Sequence, residues 1–230
     1  MAIIKLINLH KTYQTGKILV PAIRGINLEF QPGEFTAIVG PSGSGKTTLL
    51  NLIGGLDKPS EGQVIINDTD ITKFKDNQLI DFRLWNIGFV FQAYNLIPVL
   101  TAKENVEFIM TLQGVPKKER EKRAVELLEA VGLGDRINAK PSELSGGQQQ
   151  RVAVARAIAS KPKFVLADEP TANLDSVATE NLLNIMQLLN KNNGTTFIFA
   201  THDERVMKKA KRIITIEDGK IISDSLNSKF

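Results

Sequence analysis

Cysteine is missing from all 230 residues, which excludes disulfides, thiolate metal sites and a cysteine nucleophile and fits a reducing compartment. Apolar runs stay short. Segments such as residues 164–167 and 197–200 are strand-sized, far below the roughly 20 residues that span a bilayer. The first eight residues are apolar but interrupted by Lys5 and Asn8, and they lack the basic segment and continuous apolar stretch of an export signal. The chain is therefore expected not to cross a membrane by itself, with the cytoplasm as its compartment. An excess of one charge is also missing: 29 Lys plus Arg face 25 Asp plus Glu. That surplus is too small for a nucleic-acid-binding tail, and no nucleic acid partner is expected. Internal repeats and low-complexity tracts are absent as well.

What is present is a globular composition, 42% hydrophobic, enough to bury a core as one large domain or two unequal lobes. Short β-branched segments at residues 3–7 and 26–30, separated by Gly16, Pro21 and Gly25, predict an antiparallel start. Residues 35–39 form an apolar strand, a Gly-rich loop follows, and residues 46–53 favour a helix. Residues 164–167 and 196–200 are apolar throughout, as in a parallel sheet covered on both faces. Between about residues 101 and 159 no strand is evident, and Ala124, Leu127, Leu128 and Val131 share one helical face. The expected fold is α/β, with a mostly parallel sheet core and an N-terminal antiparallel β part spanning residues 1–92 and 160–230. A helical subdomain, about residues 93–159, is inserted into it. Residues 223–230 are polar and are expected to be loosely held.

The loop reads Gly40-Pro41-Ser42-Gly43-Ser44-Gly45-Lys46-Thr47-Thr48. Glycines at 40, 43 and 45 let backbone N–H groups turn inward, and the following helix adds its dipole and unpaired donors, so the segment suits a nucleotide's phosphates. Lys46 is placed to reach the β- and γ-phosphates, and Thr47 to supply a hydroxyl to Mg²⁺. A second element, Asp168-Glu169, ends an apolar strand. Asp168 suits Mg²⁺ through its water shell, and Glu169 suits polarisation of an attacking water. In Leu144-Ser145-Gly146-Gly147-Gln148, Ser145 is expected to cap a helix over residues 149–159, giving a second anion-binding helix end that one phosphate-loop site does not need.

Together with Gln92, the segment Ala172-Asn173-Leu174-Asp175, and His202, these motifs resemble the nucleotide-binding domain of ABC-type ATPases, in order and across essentially the whole chain. The resemblance implies a phosphate-loop NTPase fold that binds ATP and Mg²⁺, and a head-to-tail homodimer with two ATP molecules at the interface. It implies that Tyr13 stacks on adenine and that Gln92 sits near Mg²⁺ and the water while linking the lobes. Ser145 and Gly147 would donate to the partner's γ-phosphate, with Gly146 and Gln148 in the same segment. Asp175 would help the protomers communicate, and His202 would contact the γ-phosphate.

After Gln92, residues 93–101 are unusually apolar for a loop, which suggests either a partner surface or burial against the helical lobe. In the family this region faces a membrane subunit, and residues 96–101 followed by Glu104-Asn105-Val106 resemble the branch of lipoprotein-releasing, macrolide-exporting and cell-division ATPases. The chain ends soon after its last expected strand, so the transmembrane permease is expected to be a separate chain. The resemblance thus implies a transport-coupled ATPase, peripheral on the inner face of the cytoplasmic membrane. The alternatives are a cell-division ATPase that signals through its membrane partner, or a soluble non-transport ATPase. The last would call for a coiled-coil insertion or tandem nucleotide domains, and neither is present. Mixed charges at residues 117–123, and Lys208, Lys209, Lys211 and Arg212, read as solvated faces.

Overall fold

A computed structural model describes residues 1–227. The expected antiparallel start is one long hairpin, β1 (Ile4–Thr15) and β2 (Ile18–Phe30). Pro21 and Gly25 fall inside β2 instead of ending it. Register irregularities after Leu6, Leu9 and Lys11 absorb the misfit, with Asn8 and Gly25 both at positive φ. The loop-bearing unit follows as β3 (Phe35–Val39) and α1 (Lys46–Ile53). Next come β4 (Glu61–Ile66), the short β5 (Thr69–Asp70), α2 (Asp76–Asn86) and β6 (Ile87–Val90). Three helices, α3 (Ala102–Leu112), α4 (Lys117–Ala130) and α5 (Gly146–Ala159), lead to β7 (Phe164–Asp168). The chain then alternates through α6 (Ser176–Asn193), β8 (Thr196–Ala200) and α7 (Glu204–Lys209), and closes with the hairpin β9 (Arg212–Glu217) and β10 (Lys220–Leu226).

Two sheets result. One has the order β2-β1-β4-β5, all antiparallel, and the other β10-β9-β3-β8-β7-β6, parallel except for its β9–β10 edge. Strand periodicity of two divides each central strand between two cores. Phe35, Ala37 and Val39 join Val165, Ala167, Phe197 and Phe199 on the face covered by α3 to α6. Ile38, Phe164, Leu166, Ile198 and Ala200 face α1 and the antiparallel sheet. Neither face is left for solvent, which is why these strands read as unbroken apolar runs. Ala124, Leu127, Leu128 and Val131 all enter the first core.

Three expectations are corrected. Residues 223–226 belong to β10, paired to β9 through a turn at Asp218-Gly219 with both φ positive. Such an edge strand gains ladder hydrogen bonds without needing an apolar face, so its polarity misled. The remainder of that segment, residues 228–230, lies outside the described residues. The run at residues 117–123 is only partly solvated. Arg120 pairs with the buried Glu107 at 3.2 Å, and Arg123 donates to Ala159 O at 2.8 Å and Ile158 O at 3.1 Å, closing the end of α5. Arg212 is likewise held between Glu34, at 3.0 Å, and Asp224, at 2.7 Å. Among the described residues, no helix is long and apolar enough to cross a membrane.

Candidate functional site

At the carboxyl end of β3 the backbone bends through Gly40 into α1, and a cleft of about 560 Å³ opens there. Its walls include Gly40, Pro41, Ser42, Gly43, Gly45, Lys46, Thr47, Thr48, Gln92, Glu169 and His202. Only a glycine fits at 45, where φ is +104° and an added Cβ would lie 2.6 Å from Ala22 O. Ser44 is buried. Lys46 is almost wholly buried, and its ammonium donates to Gly40 O and Pro41 O, both at 2.9 Å. The loop therefore concentrates a cation and unpaired helix N–H groups at one spot, an arrangement that attracts polyanions.

Beside it, Thr47 Oγ1 donates to Asp168 Oδ1 at 3.0 Å. Burial raises the Asp168 pKa, Thr47 lowers it, Glu169 raises it and Lys46 lowers it, with the balance upward. A hydroxyl and a partly desolvated carboxylate are hard oxygen donors, the kind that fit Mg²⁺ better than a softer ion. Glu169, directly after β7, adopts φ +44°, which a non-glycine residue rarely takes. Its side chain lines the cleft, near enough to Asp168 to raise that group's pKa. Oε2 accepts from Thr201 Oγ1 at 3.1 Å, and Oε1 lies 2.7 Å from His202 Nδ1. A proton on Nδ1 makes that second contact a hydrogen bond to the carboxylate.

The sequence-identified segment at 144–148 stands apart from this cleft; none of its residues lines it. Ser145 caps α5, with its hydroxyl accepting from Gln148 N at 3.3 Å, and Gln148 Oε1 accepts from Ser145 N at 2.8 Å. The glycines here answer close packing. A Cβ on Gly146 would lie 2.6 Å from Tyr94 Oη, and one on Gly147 would lie 2.9 Å from Ala178 Cβ. Ala178 belongs to the first turn of α6, whose cap Asp175 accepts from Ala178 N at 2.7 Å. Two capped helix starts thus lie side by side. Tyr13 sits on the hairpin, 38% exposed, with the Thr48 side chain approaching its phenol oxygen.

Three buried or half-buried side chains given no site role from the sequence hold these loops. Asn105, fully buried, donates to Ile97 O, Leu100 O and Thr101 O and accepts from Ile97 N, fixing the apolar loop after Gln92. Gln150, also fully buried, bridges Phe91 O at 3.2 Å and Pro170 O at 2.8 Å, the neighbours of Gln92 and Glu169. Arg156 donates to Tyr94 O and Asn95 O. A polar residue inside an apolar helical pattern was the one available signal. In the loop itself Leu96 packs on the core, whereas Val99 is 75% exposed, so burial against the helical lobe accounts for only part of that stretch.

Asp203 ties the His202 segment to Thr171, accepting from Thr171 Oγ1 at 2.8 Å and from Arg205 Nη2 at 2.7 Å. Partial burial opposes its ionisation, but the Arg205 guanidinium and backbone N–H and the Thr171 hydroxyl hold it down to about 2. With its folded pKa below the ordinary 3.8, the ionised group stabilises the fold in full above about pH 4, and that contribution is lost as pH falls through 2. Asp203→Asn is expected to lower stability by about 1–2 kcal/mol at pH 7 after discounting for exposure. In denaturant titrations the gap from the parent should close towards pH 2. A gap independent of pH would assign the effect to something other than the charge.

Comparison with known proteins identifies the family. Residues 23–172 match the family model described as ABC transporter. An uncharacterized ABC transporter ATP-binding protein of Thermotoga maritima is 48% identical over 219 residues, covering 95% of this chain and 93% of that protein. The macrolide export ATP-binding/permease protein MacB of Hyphomonas neptunium is 46% identical over 99% of this chain, but that match spans 35% of MacB. The solved dimer of the ATP-binding cassette MJ0796 of Methanocaldococcus jannaschii, bound to ADP and Pi, superposes with a TM-score of 0.90 at 45% identity, covering 97% of this chain and 98% of that one.

Proposed function

The chain belongs to the ABC transporter family as an ATP-binding subunit, and from that premise we propose that it powers an export or lipoprotein-releasing membrane complex through ATP-driven closure of a head-to-tail homodimer. The observation that carries this reading is the division of the site. Lys46, Thr47, Gln92, Glu169 and His202 converge on one cleft, while the second anion-binding helix end at Ser145 lies outside it and would serve the ATP of another copy.

Within one composite site, the loop N–H groups and Lys46 bind the phosphates, and Tyr13 takes the base. Thr47, Asp168 and Gln92 are the residues that would hold Mg²⁺, which when bound offsets the phosphate charge. Glu169 accepts a proton from the attacking water, and His202 steadies the Glu169 carboxylate while facing the γ-phosphate. Ser145 and Gly147 of the second copy donate to that phosphate, so ATP itself joins the protomers. Gly146 and Gln148 shape that helix start. Asp175, capping the adjacent helix, couples the two sites.

The permease-facing surface extends from the apolar loop at residues 92–101 into a groove of about 270 Å³ lined by Leu56, Arg83, Phe89, Phe91, Ile109 and Arg156. It is apolar with two cationic edges, and it suits a short helix of a separate transmembrane subunit. MacB, which carries ATP-binding and permease functions in one protein, supports the pairing. Attachment through that subunit would hold the chain at the inner face of the membrane. A chain without native cysteine makes the test clean. Leu56→Cys with a cysteine-directed photo-cross-linker, added to native membranes, should capture an integral membrane polypeptide with a large extracytoplasmic domain. Capture of only extractable, non-membrane proteins would overturn the proposal, and a multi-span partner working with a binding protein would overturn the export assignment.

A further inference from the structure

We infer that Asp57 and Lys11 form a clamp that sets the angle and position of the Tyr13 ring for the nucleotide base, making both of them positioning residues for ATP affinity. The inference rests on the reading in which Tyr13 receives that base. Tyr13 lies directly across the β1–β2 hairpin from Val20, and both are exposed. A half-exposed aromatic near a hairpin tip ordinarily samples several rotamers, and ordering it costs free energy on binding.

Here the ring is already held at two points. Tyr13 Oη donates to Asp57 Oδ2 at 2.8 Å. Asp57 Oδ1 accepts from Lys11 Nζ at 2.7 Å and from Lys58 N at 2.7 Å. Lys11 Nζ also donates to Lys58 O at 2.8 Å and stands 4.8 Å from the Tyr13 ring centroid. Lys11 is the more buried partner of the ion pair, its side chain 13% exposed against 29% for Asp57, so these charge-assisted bonds are partly shielded from water.

The clamp also fixes a distance. Asp57 follows α1, the helix that begins at Lys46, and its backbone N–H returns to Asn51 O on that helix. The ring is therefore anchored to the element whose first turn forms the phosphate site, not merely to its own hairpin. A ring has two faces, and the Lys11 ammonium covers one by a cation–π contact. The proposed base takes the opposite face, with the apolar Val20 across the hairpin. Nothing in the clamp reaches Glu169 or the γ-phosphate end of the cleft, so its loss should weaken base binding without slowing the chemical step.

The test uses the intact chain and two probes, ATP and inorganic tripolyphosphate, which shares the phosphates but has no base. Asp57→Asn is expected to weaken ATP about five- to tenfold, with tripolyphosphate affinity and kcat at saturating ATP unchanged within about twofold. Tyr13→Phe, which removes the hydroxyl and keeps the ring, should give a similar loss, and the double variant should lose little more than either alone. Unchanged ATP affinity in Asp57→Asn, or an equal loss for both probes, would overturn the clamp, the second outcome marking a purely architectural pair. Tyr13→Ala separates the two levels. If it leaves the ratio of ATP to tripolyphosphate affinity unchanged, the base does not bind on Tyr13 at all. If it lowers that ratio while Asp57→Asn does not, the base site stands and only the clamp fails.

Discussion

Glu169→Gln is expected to bind ATP, lose turnover by about a hundredfold to ten-thousandfold, and accumulate as an ATP-bound dimer. The amide keeps the side chain's shape and leaves an oxygen that accepts from Thr201 or His202, whose bonds to the native carboxylate are 3.1 and 2.7 Å. What it loses is the ability to take a proton from water. In the proposed composite site it also removes a negative charge from the γ-phosphate end, so the nucleotide-closed state is expected to gain while its exit by hydrolysis is blocked. Gel filtration with and without ATP, beside a phosphate-release assay, reads both effects. A variant that stays monomeric with ATP and hydrolyses at the parental rate would remove Glu169 from the mechanism. The left-handed backbone at this position is the structural signal that its orientation is held for a purpose.

The second large effect concerns the other half of the composite site. Ser145→Arg should abolish hydrolysis while leaving nucleotide binding by the isolated monomer nearly unchanged. The native hydroxyl accepts from Gln148 N, which leaves its own proton free to donate outward to a phosphate. Arginine removes that donor, fills the space a second copy would enter, and costs the helix about 1 kcal/mol of capping. Complementation tests the trans geometry directly. A mixture with Lys46→Ala contains heterodimers that hold one intact site, the phosphate loop from one chain and Ser145 from the other. Equal mixing should recover roughly a quarter of parental turnover if the sites act independently. Lost binding in the Ser145→Arg monomer would place Ser145 in its own chain's site, and no recovery on mixing would argue against sharing.

Several features were legible without coordinates because the interactions that produce them are local. The strand–loop–helix unit at β3 and α1 follows from an apolar run, three glycines and a block of helix formers. The cap at Ser145 follows from a hydroxyl three residues before a glutamine that can reach back. The buried parallel strands announced themselves because both faces are covered, so no polar alternation interrupts them. Interactions between distant segments were not legible. The edge strand β10 looked like a loose tail because backbone pairing stabilises it and its side chains do not. Arg123 and Arg212 looked solvated because their partners, the end of α5 in one case and Glu34 and Asp224 in the other, lie elsewhere in the chain.

The amino-acid sequence by itself determined which loop carries the cation and N–H donors, which strand end carries the two carboxylates, and that Ser145 caps a second glycine-rich helix start. Only the tertiary structure decided how these parts are arranged. It separated the segment around Ser145 from the Lys46 cleft, held Glu169 against Thr201 and His202 at a left-handed backbone position, and fastened Tyr13 to Asp57 and Lys11. The physical reason is the range of the forces involved. Helix capping and strand burial act over a few residues and leave a pattern in the sequence. Hydrogen bonds that lock one loop against another need only two compatible groups, which any of many positions could supply.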